Sequence, residues 1–308
     1  GAVAIPAMVR QGYPAAFSAA LVAAGGAIGV IIPPSIPMVI YGFLTNVSIA
    51  ELFAGGMMVG LLFGLSFMAV AVWKSLRHGY GTRRAFSLRF VLHSLRRALW
   101  SLGAPVIVLG GILSGIVTVT EAAAVAVFYA LLVAIWVNRR LHWRDLPALL
   151  VESQVIAATI LFIIAMAKVF TWLVAMQQTP MMLQNAISAM ALPPWGLLLL
   201  VMLGLLVVGC VMETTAALIL LVPVLAPLTL QMGIDPMHFG VLMVVNLAIG
   251  MLTPPVGICL FVSCGIAGIT LGQIGRAVIP FLLAAIAALF VASYWPPLTT
   301  WLPTLIYR

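Results

Sequence analysis

Six acids and four histidines are spread over 308 residues, so the few groups able to do chemistry stand out by position. Two stretches are nearly the same: "AIGVIIPPS" at 27–35 and "AIGMLTPPVG" at 248–257, each a glycine, three residues and then paired prolines. Proline inside a helix removes a donor and clashes with the carbonyl four residues back, so two in succession break the helix. At membrane depth the freed carbonyls are tolerated only where protein buries them or they line a polar cavity. Together with the hydroxyls of Ser35 and Thr253, such oxygens suit a hard monovalent cation. The half-helix restarting after each break offers free amides to an anion. A proline kink that merely shapes a helix is the plainer alternative for either copy alone. A third polar point is Glu213-Thr214-Thr215, inside "VVGCVMETTAALILLVPVLAPL" at 207–228. Its apolar arms of about fifteen residues rise only about 22 Å as helices, short for a crossing. They read as a re-entrant hairpin whose tip meets Thr253-Pro254-Pro255. The alternative is one span with Glu213 at an interface.

The elements that must position these groups follow from composition. Hydrophobic residues make up 65% of the chain and charged residues 6%, with a mean hydropathy of +1.27, which excludes the soluble globular classes. Apolar runs at 50–73, 148–174, 195–211 and 279–294 are long enough, or nearly so, to cross a hydrocarbon core as helices. None alternates as a barrel strand would, so the fold class is all-α integral membrane. Cys210, Cys259 and Cys264 lie in apolar segments without ligand partners beside them and read as small core residues.

The net charge of +8 is local. Seven of the fourteen Lys and Arg residues fall in "KSLRHGYGTRRAFSLRFVLHSLRR" at 74–97, which holds no acid. With no soluble domain to present that charge, a cytoplasmic loop along anionic lipid is the expected reading, not a nucleic-acid site. Arg139, Arg140 and Arg144 form a second basic cluster. If both clusters are cytoplasmic, residues 102–137 must go in and come back, with "GGILSG" at 110–115 as the break. One long tilted span is the alternative.

Sliding the chain by 221 positions aligns 3–36 with 224–257 at nine identities, five of them Gly or Pro: Pro6/Pro227, Gly12/Gly233, Gly29/Gly250, Pro33/Pro254 and Pro34/Pro255. Matching breakers at constant offset indicate a structural repeat. Transporters are commonly built from inverted repeats whose broken helices meet at the substrate site. The expected division is 1–73 as the remainder of a first repeat, 74–99 as a basic linker, 100–295 as a second repeat and 296–308 as an interfacial tail. The second repeat would hold a hairpin at 195–228 and a broken helix at 236–267. The same offset places the start of the first repeat upstream of Gly1, so the sequence reads as a fragment.

The segments at 5–42, 110–134 ("GGILSGIVTVTEAAAVAVFYALLVA") and 233–262 ("GIDPMHFGVLMVVNLAIGMLTPPVGICLFV") closely resemble the large membrane subunit of TRAP transporters, the tripartite ATP-independent periplasmic systems of the ion-transporter superfamily. The resemblance runs over essentially the whole chain. It implies a bacterial inner-membrane, sodium-coupled importer that receives a carboxylate from a periplasmic binding protein and works with a small four-helix membrane subunit. It also implies an elevator mechanism, in which two hairpins and two broken helices slide against a scaffold. Carried over by residue, a first sodium site would use Gly29, Ile32, Pro34 and Ser35, with its hairpin upstream of Gly1. A second would use Gly209, Glu213, Thr214, Thr215, Gly250, Thr253 and Pro255. Substrate would bind near Ser35, Thr214 and Thr253. A binding-protein-independent sodium or proton symporter of the same superfamily is the alternative function.

The remaining polar residues have plainer readings. Glu121 is expected to serve the scaffold rather than touch substrate, and Lys168 to snorkel or pair with an acid. Arg10 reads as a loop-end anchor and His238 as a cap-region residue rather than a proton relay. Asn46 matches a glycosylation sequon only by spelling. No two of the His and acidic residues make a catalytic or metal set, so no enzyme is expected.

Overall fold

Backbone chemistry sets the helix boundaries, and they fall where the breakers and caps lie. The computed structural model describes residues 1–80, 87–139, 141–177, 193–231, 233–254 and 256–307, and among these there is no strand. Helix α1 (Ala4–Arg10) ends at Gly12, whose φ of 88° is open to glycine. Helix α2 (Ala15–Ile31) stops where Pro33 and Pro34 withhold the donors due to the carbonyls of Gly29 and Val30. Ser35 then caps α3 (Ile36–Thr45), its hydroxyl accepting from the Met38 amide, and Asn46 closes α3 in the left-handed conformation. Helix α4 (Ile49–His78) starts on a Ser48 cap and ends at Gly79.

Helices α5 (Leu88–Leu113) and α6 (Val119–Leu132) are joined by a short turn, and α6 runs on into a π-helical turn at Val133–Val137. The Tyr129 hydroxyl donates to the Trp100 carbonyl at 2.8 Å, which fixes α5 and α6 as an antiparallel hairpin. Residues 102–137 therefore turn back on themselves rather than forming a single tilted span, with the turn at 114–118 taking in the last two residues of "GGILSG". Helix α7 covers Leu146–Met176.

Then come α8 (Pro194–Gly209), α9 (Thr214–Gln231), α10 (Pro236–Gly250), α11 (Ile258–Ala267), α12 (Leu271–Tyr294) and α13 (Pro297–Tyr307). Asp235 caps α10 by accepting from the Met237 and His238 amides, both at 2.9 Å, with Pro236 in the first turn where its missing N–H costs nothing. The C-terminal residues, expected as an interfacial tail, form α13 and pack on α4.

Among the described residues five helical stretches are long and apolar enough to cross a membrane: Ala15–Thr45, Ile49–His78, Val119–Val137, Leu146–Met166 and Leu271–Tyr294. The chain is thus a multi-pass, all-α membrane protein. It folds as two compact units, Gly1–Thr82 with Val169–Arg308, and Arg83–Lys168. In the first unit α10 is the core: every residue from Met237 to Gly250 is buried. A helix apolar all round must be enclosed by others, and α2, α3, α4, α8, α9, α12 and α13 enclose this one.

The helix starts follow the same offset to within one residue: α2, α3 and α4 start at 15, 36 and 49, and α10, α11 and α12 start at 236, 258 and 271. Gly12 and Gly233 share positive φ at the equivalent turn, 88° and 75°. Partners are exchanged as a two-fold relation requires. Helix α2 packs on α11 and α12, while its counterpart α10 packs on α3 and α4.

Candidate functional site

The apolar arms at 194–231 fold back on themselves, with residues 210–213 as the tip between α8 and α9. This is the hairpin geometry rather than a single span. Glu213 takes the capping role at the start of α9, its carboxylate accepting from the Ala216 amide at 2.9 Å. The carboxylate is exposed and already engaged in the cap.

The tip meets the second break backbone to backbone. A methyl on Gly250 would lie 2.5 Å from Gly209 Cα and closer still to the Gly209 carbonyl, so only glycine at 250 permits the approach. The Cys210 thiol, at the tip, donates to the Leu206 carbonyl at 3.0 Å. Thr214 is 2% exposed and its hydroxyl has no protein partner. A buried hydroxyl without a partner costs about 1–3 kcal/mol, which sets Thr214 apart, with Asn246, among the described buried polar side chains. Gly209 and Gly250 are therefore in contact, with Thr253 bonded back to Gly250, while Thr214 stands five residues beyond Gly209 at the start of α9 with Thr215 half-buried next to it. Pro255 lies outside the described residues.

The freed carbonyls, expected to stand open, are partly re-satisfied. In the second break the chain tightens into 3₁₀ turns: Leu252 N donates to Ile249 O and Thr253 N to Gly250 O, both at 2.9 Å. Met251 O accepts from Cys259 N at 3.2 Å, and the Thr253 hydroxyl donates to Ile249 O at 3.0 Å. In the first break the buried Ser35 hydroxyl donates to Val30 O at 2.6 Å while capping α3. That leaves Gly29 O as the carbonyl deprived of its helical donor by Pro33. Ile32 is extended and lies against Gly60 of α4, and Pro34 is exposed. The two breaks approach each other: Gly26, one turn before Gly29, packs on Cys259, two residues past Gly257.

Other candidates resolve into local roles. Glu121 completes a capping box with Thr118, its carboxylate accepting from the Thr118 amide at 2.8 Å and hydroxyl at 2.9 Å. The Thr-x-x-Glu spacing was the available signal. Arg10 closes α1. His238 is at the start of α10, but its ring is buried, with Nδ1 2.6 Å from the Thr299 hydroxyl and Nε2 3.3 Å from the Ser293 carbonyl. It pins the end of α12 and the start of α13. The Lys168 side chain and Arg140 lie outside the described residues.

Two residues escaped the sequence reading. Asn246, fully buried in α10, donates to the Met202 carbonyl of α8 at 3.0 Å and leaves its own Oδ1 without a partner. A single amide inside "FGVLMVVNLAIG" was the signal. Tyr41 of α3 donates to the Pro236 carbonyl at 2.8 Å and stacks over Gly240, tying the first broken helix to the start of α10.

The model of the DctM component of the tripartite ATP-independent periplasmic transporters matches residues 1–298. The chain is 43% identical over 297 residues to the isethionate TRAP transporter permease protein DctMQ of Oleidesulfovibrio alaskensis, covering 96% of this chain and 47% of that one. It is 41% identical over 303 residues to the C4-dicarboxylate TRAP transporter large permease protein DctM of Pseudomonas aeruginosa, covering 98% and 71%. It is 39% identical over 305 residues to the sialic acid TRAP transporter large permease protein SiaM of Vibrio cholerae, covering 99% and 71%. The chain thus spans about half the length of the first of these relatives.

Proposed function

The chain belongs to the TRAP transporter family as its DctM, or large membrane, component, and on that premise we propose that it carries an organic acid across a bacterial inner membrane with sodium as the coupling ion. The observation that carries this reading is the contact of Gly209 with Gly250, together with the buried, unpartnered Thr214 hydroxyl at the start of the next helix. Sodium at that junction is held by backbone oxygens of the tip and by the Thr214 and Thr253 hydroxyls. Glu213 stays at the helix cap, outside the innermost oxygens. Gly29 O, with Ile32, Pro34 and Ser35 around it, forms half of a second such site.

Binding energy couples the two ends of the mechanism. The cation holds the hairpin tip against the broken helix, and the closed tip completes an anion pocket between Ser35, Thr214 and Thr253 and the amides that restart each half-helix. Loaded, α2–α3 and α8–α11 move as one body, consistent with their mutual packing. The names of the similar proteins favour a carboxylate or related organic acid as cargo. The partners are a periplasmic binding protein that delivers it and a small four-helix membrane subunit.

The test is uptake into proteoliposomes containing the full-length permease with its small subunit and binding protein. Accumulation should need both a sodium gradient and the binding protein. Accumulation without the binding protein would replace this reading by a binding-protein-independent symporter, and indifference to sodium would remove the cation site.

A further inference from the structure

The basic segment takes no part in the proposed transport site, and its structure gives it a task. Helix α5 begins at Leu88, so the second half of the segment is helical rather than loop. At 100° per residue Leu88, Leu92, Leu95 and Leu99 fall within an arc of about 60°. Arg89 and Arg96 lie on one edge of that arc, about 10 Å apart along the axis. Ser87 and Ser94 lie on the far side. Arg89, Leu92, Leu95, Arg96 and Leu99 line a shallow groove of about 330 Å³, and all five side chains are exposed.

Further along the same helix, Gly103 receives the Tyr129 ring of α6. The antiparallel register of that hairpin brings Arg139 and Arg144, which follow α6, toward the end of α5 that carries Arg89 and Arg96. Only Asp145 and Glu152 oppose these charges nearby in sequence, and Asp145 is engaged with His142. An apolar stripe edged by arginines is the pattern of a helix seated at the headgroup boundary, with the guanidinium groups snorkelling to phosphate.

We propose that residues 88–99 of α5 form a seat for anionic phospholipid, with Arg89 and Arg96 on the headgroup phosphate and an acyl chain along Leu92, Leu95 and Leu99. The commitment to a lipid rests on charge complementarity combined with the apolar groove between the two cations. A nucleic acid or acidic peptide would use the charge but leave the leucines unexplained.

The test is lipid retention by the purified chain. Protein equilibrated in mixed micelles with equimolar phosphatidylglycerol and phosphatidylcholine is delipidated in steps, and the retained lipid is counted by native mass spectrometry. The intact chain should enrich phosphatidylglycerol. At about a factor of five per arginine at a membrane surface, the Arg89→Gln/Arg96→Gln variant should lose enrichment by about 25-fold. Arg276→Gln on α12, also a loss of exposed positive charge, should leave it unchanged. Leu92→Ser/Leu99→Ser should lower retention of both lipids. Equal retention of the two lipids by the intact chain, or full enrichment in the double glutamine variant, would overturn the proposal. So would loss of bound lipid when the small membrane subunit is added, which would assign the face to a protein partner.

Discussion

Replacing Gly250 by alanine tests the junction most directly, because its consequence follows from one contact. The added methyl would stand 2.5 Å from Gly209 Cα, where ordinary carbon contacts are about 3.5–4.0 Å, so the tip must retreat by at least about 1 Å. Neither wall is a flexible side chain that could turn aside. Overpacking of this kind costs about 1–3 kcal/mol. The larger effect should be on the cation, since a coordinating constellation tolerates displacements of only about 0.5 Å. The assay is thermal unfolding of purified protein, titrated with sodium against an impermeant organic cation at constant ionic strength. Sodium at one hundred times its Kd stabilises by about 2.7 kcal/mol. In Gly250→Ala a tenfold or greater loss of affinity should remove about 1.4 kcal/mol or more of that increment. Gly209→Ala, whose methyl meets Gly250 Cα at 3.2 Å, should be milder. Gly204→Ala, with open space around it on the same helix, should be neutral or stabilising by about 0.5–1 kcal/mol. If Gly250→Ala matches Gly204→Ala in both stability and sodium response, the tip and break are not in the contact described.

Thr214→Val should act with opposite signs: equal or higher stability without sodium, because an unpartnered buried hydroxyl disappears, and a reduced sodium-dependent shift. Thr214→Val that keeps the full sodium shift would take the hydroxyl out of the site. Asn246→Asp should lose about 3 kcal/mol or more by burying an unpaired charge against Met202, while Asn246→Leu should cost about 1 kcal/mol or less. Similar melting temperatures for the two would refute the fully enclosed position of that side chain. Thr118→Ala should destabilise by about 0.5–2 kcal/mol through loss of the α6 capping box and leave the sodium shift untouched, a split that separates a helix cap from a coupling-ion ligand.

Much of the architecture was legible because it depends on backbone chemistry. Paired prolines break a helix in any surroundings, so both breaks could be read from residue types alone, and the helices on either side of the second run over 236–250 and 258–267. The hairpin was legible from arm length against bilayer thickness. Local sequence could not decide which oxygens stay open. Whether the Gly250 carbonyl remains free depends on the chain tightening to let Thr253 N reach it, and whether the Ser35 hydroxyl is available depends on its reach back to Val30. Glu213 and Glu121 looked like candidates for the site or scaffold because an acid in an apolar run is costly, yet both spend their carboxylates on helix starts. The sequence by itself determined the breaks, the membrane class and the basic segment, all properties of neighbouring residues. Only the tertiary structure decided that Gly209 lies on Gly250 and that the Thr214 hydroxyl is buried without a partner, because each depends on residues some forty positions apart, brought together by the hairpin folding against a fully enclosed helix.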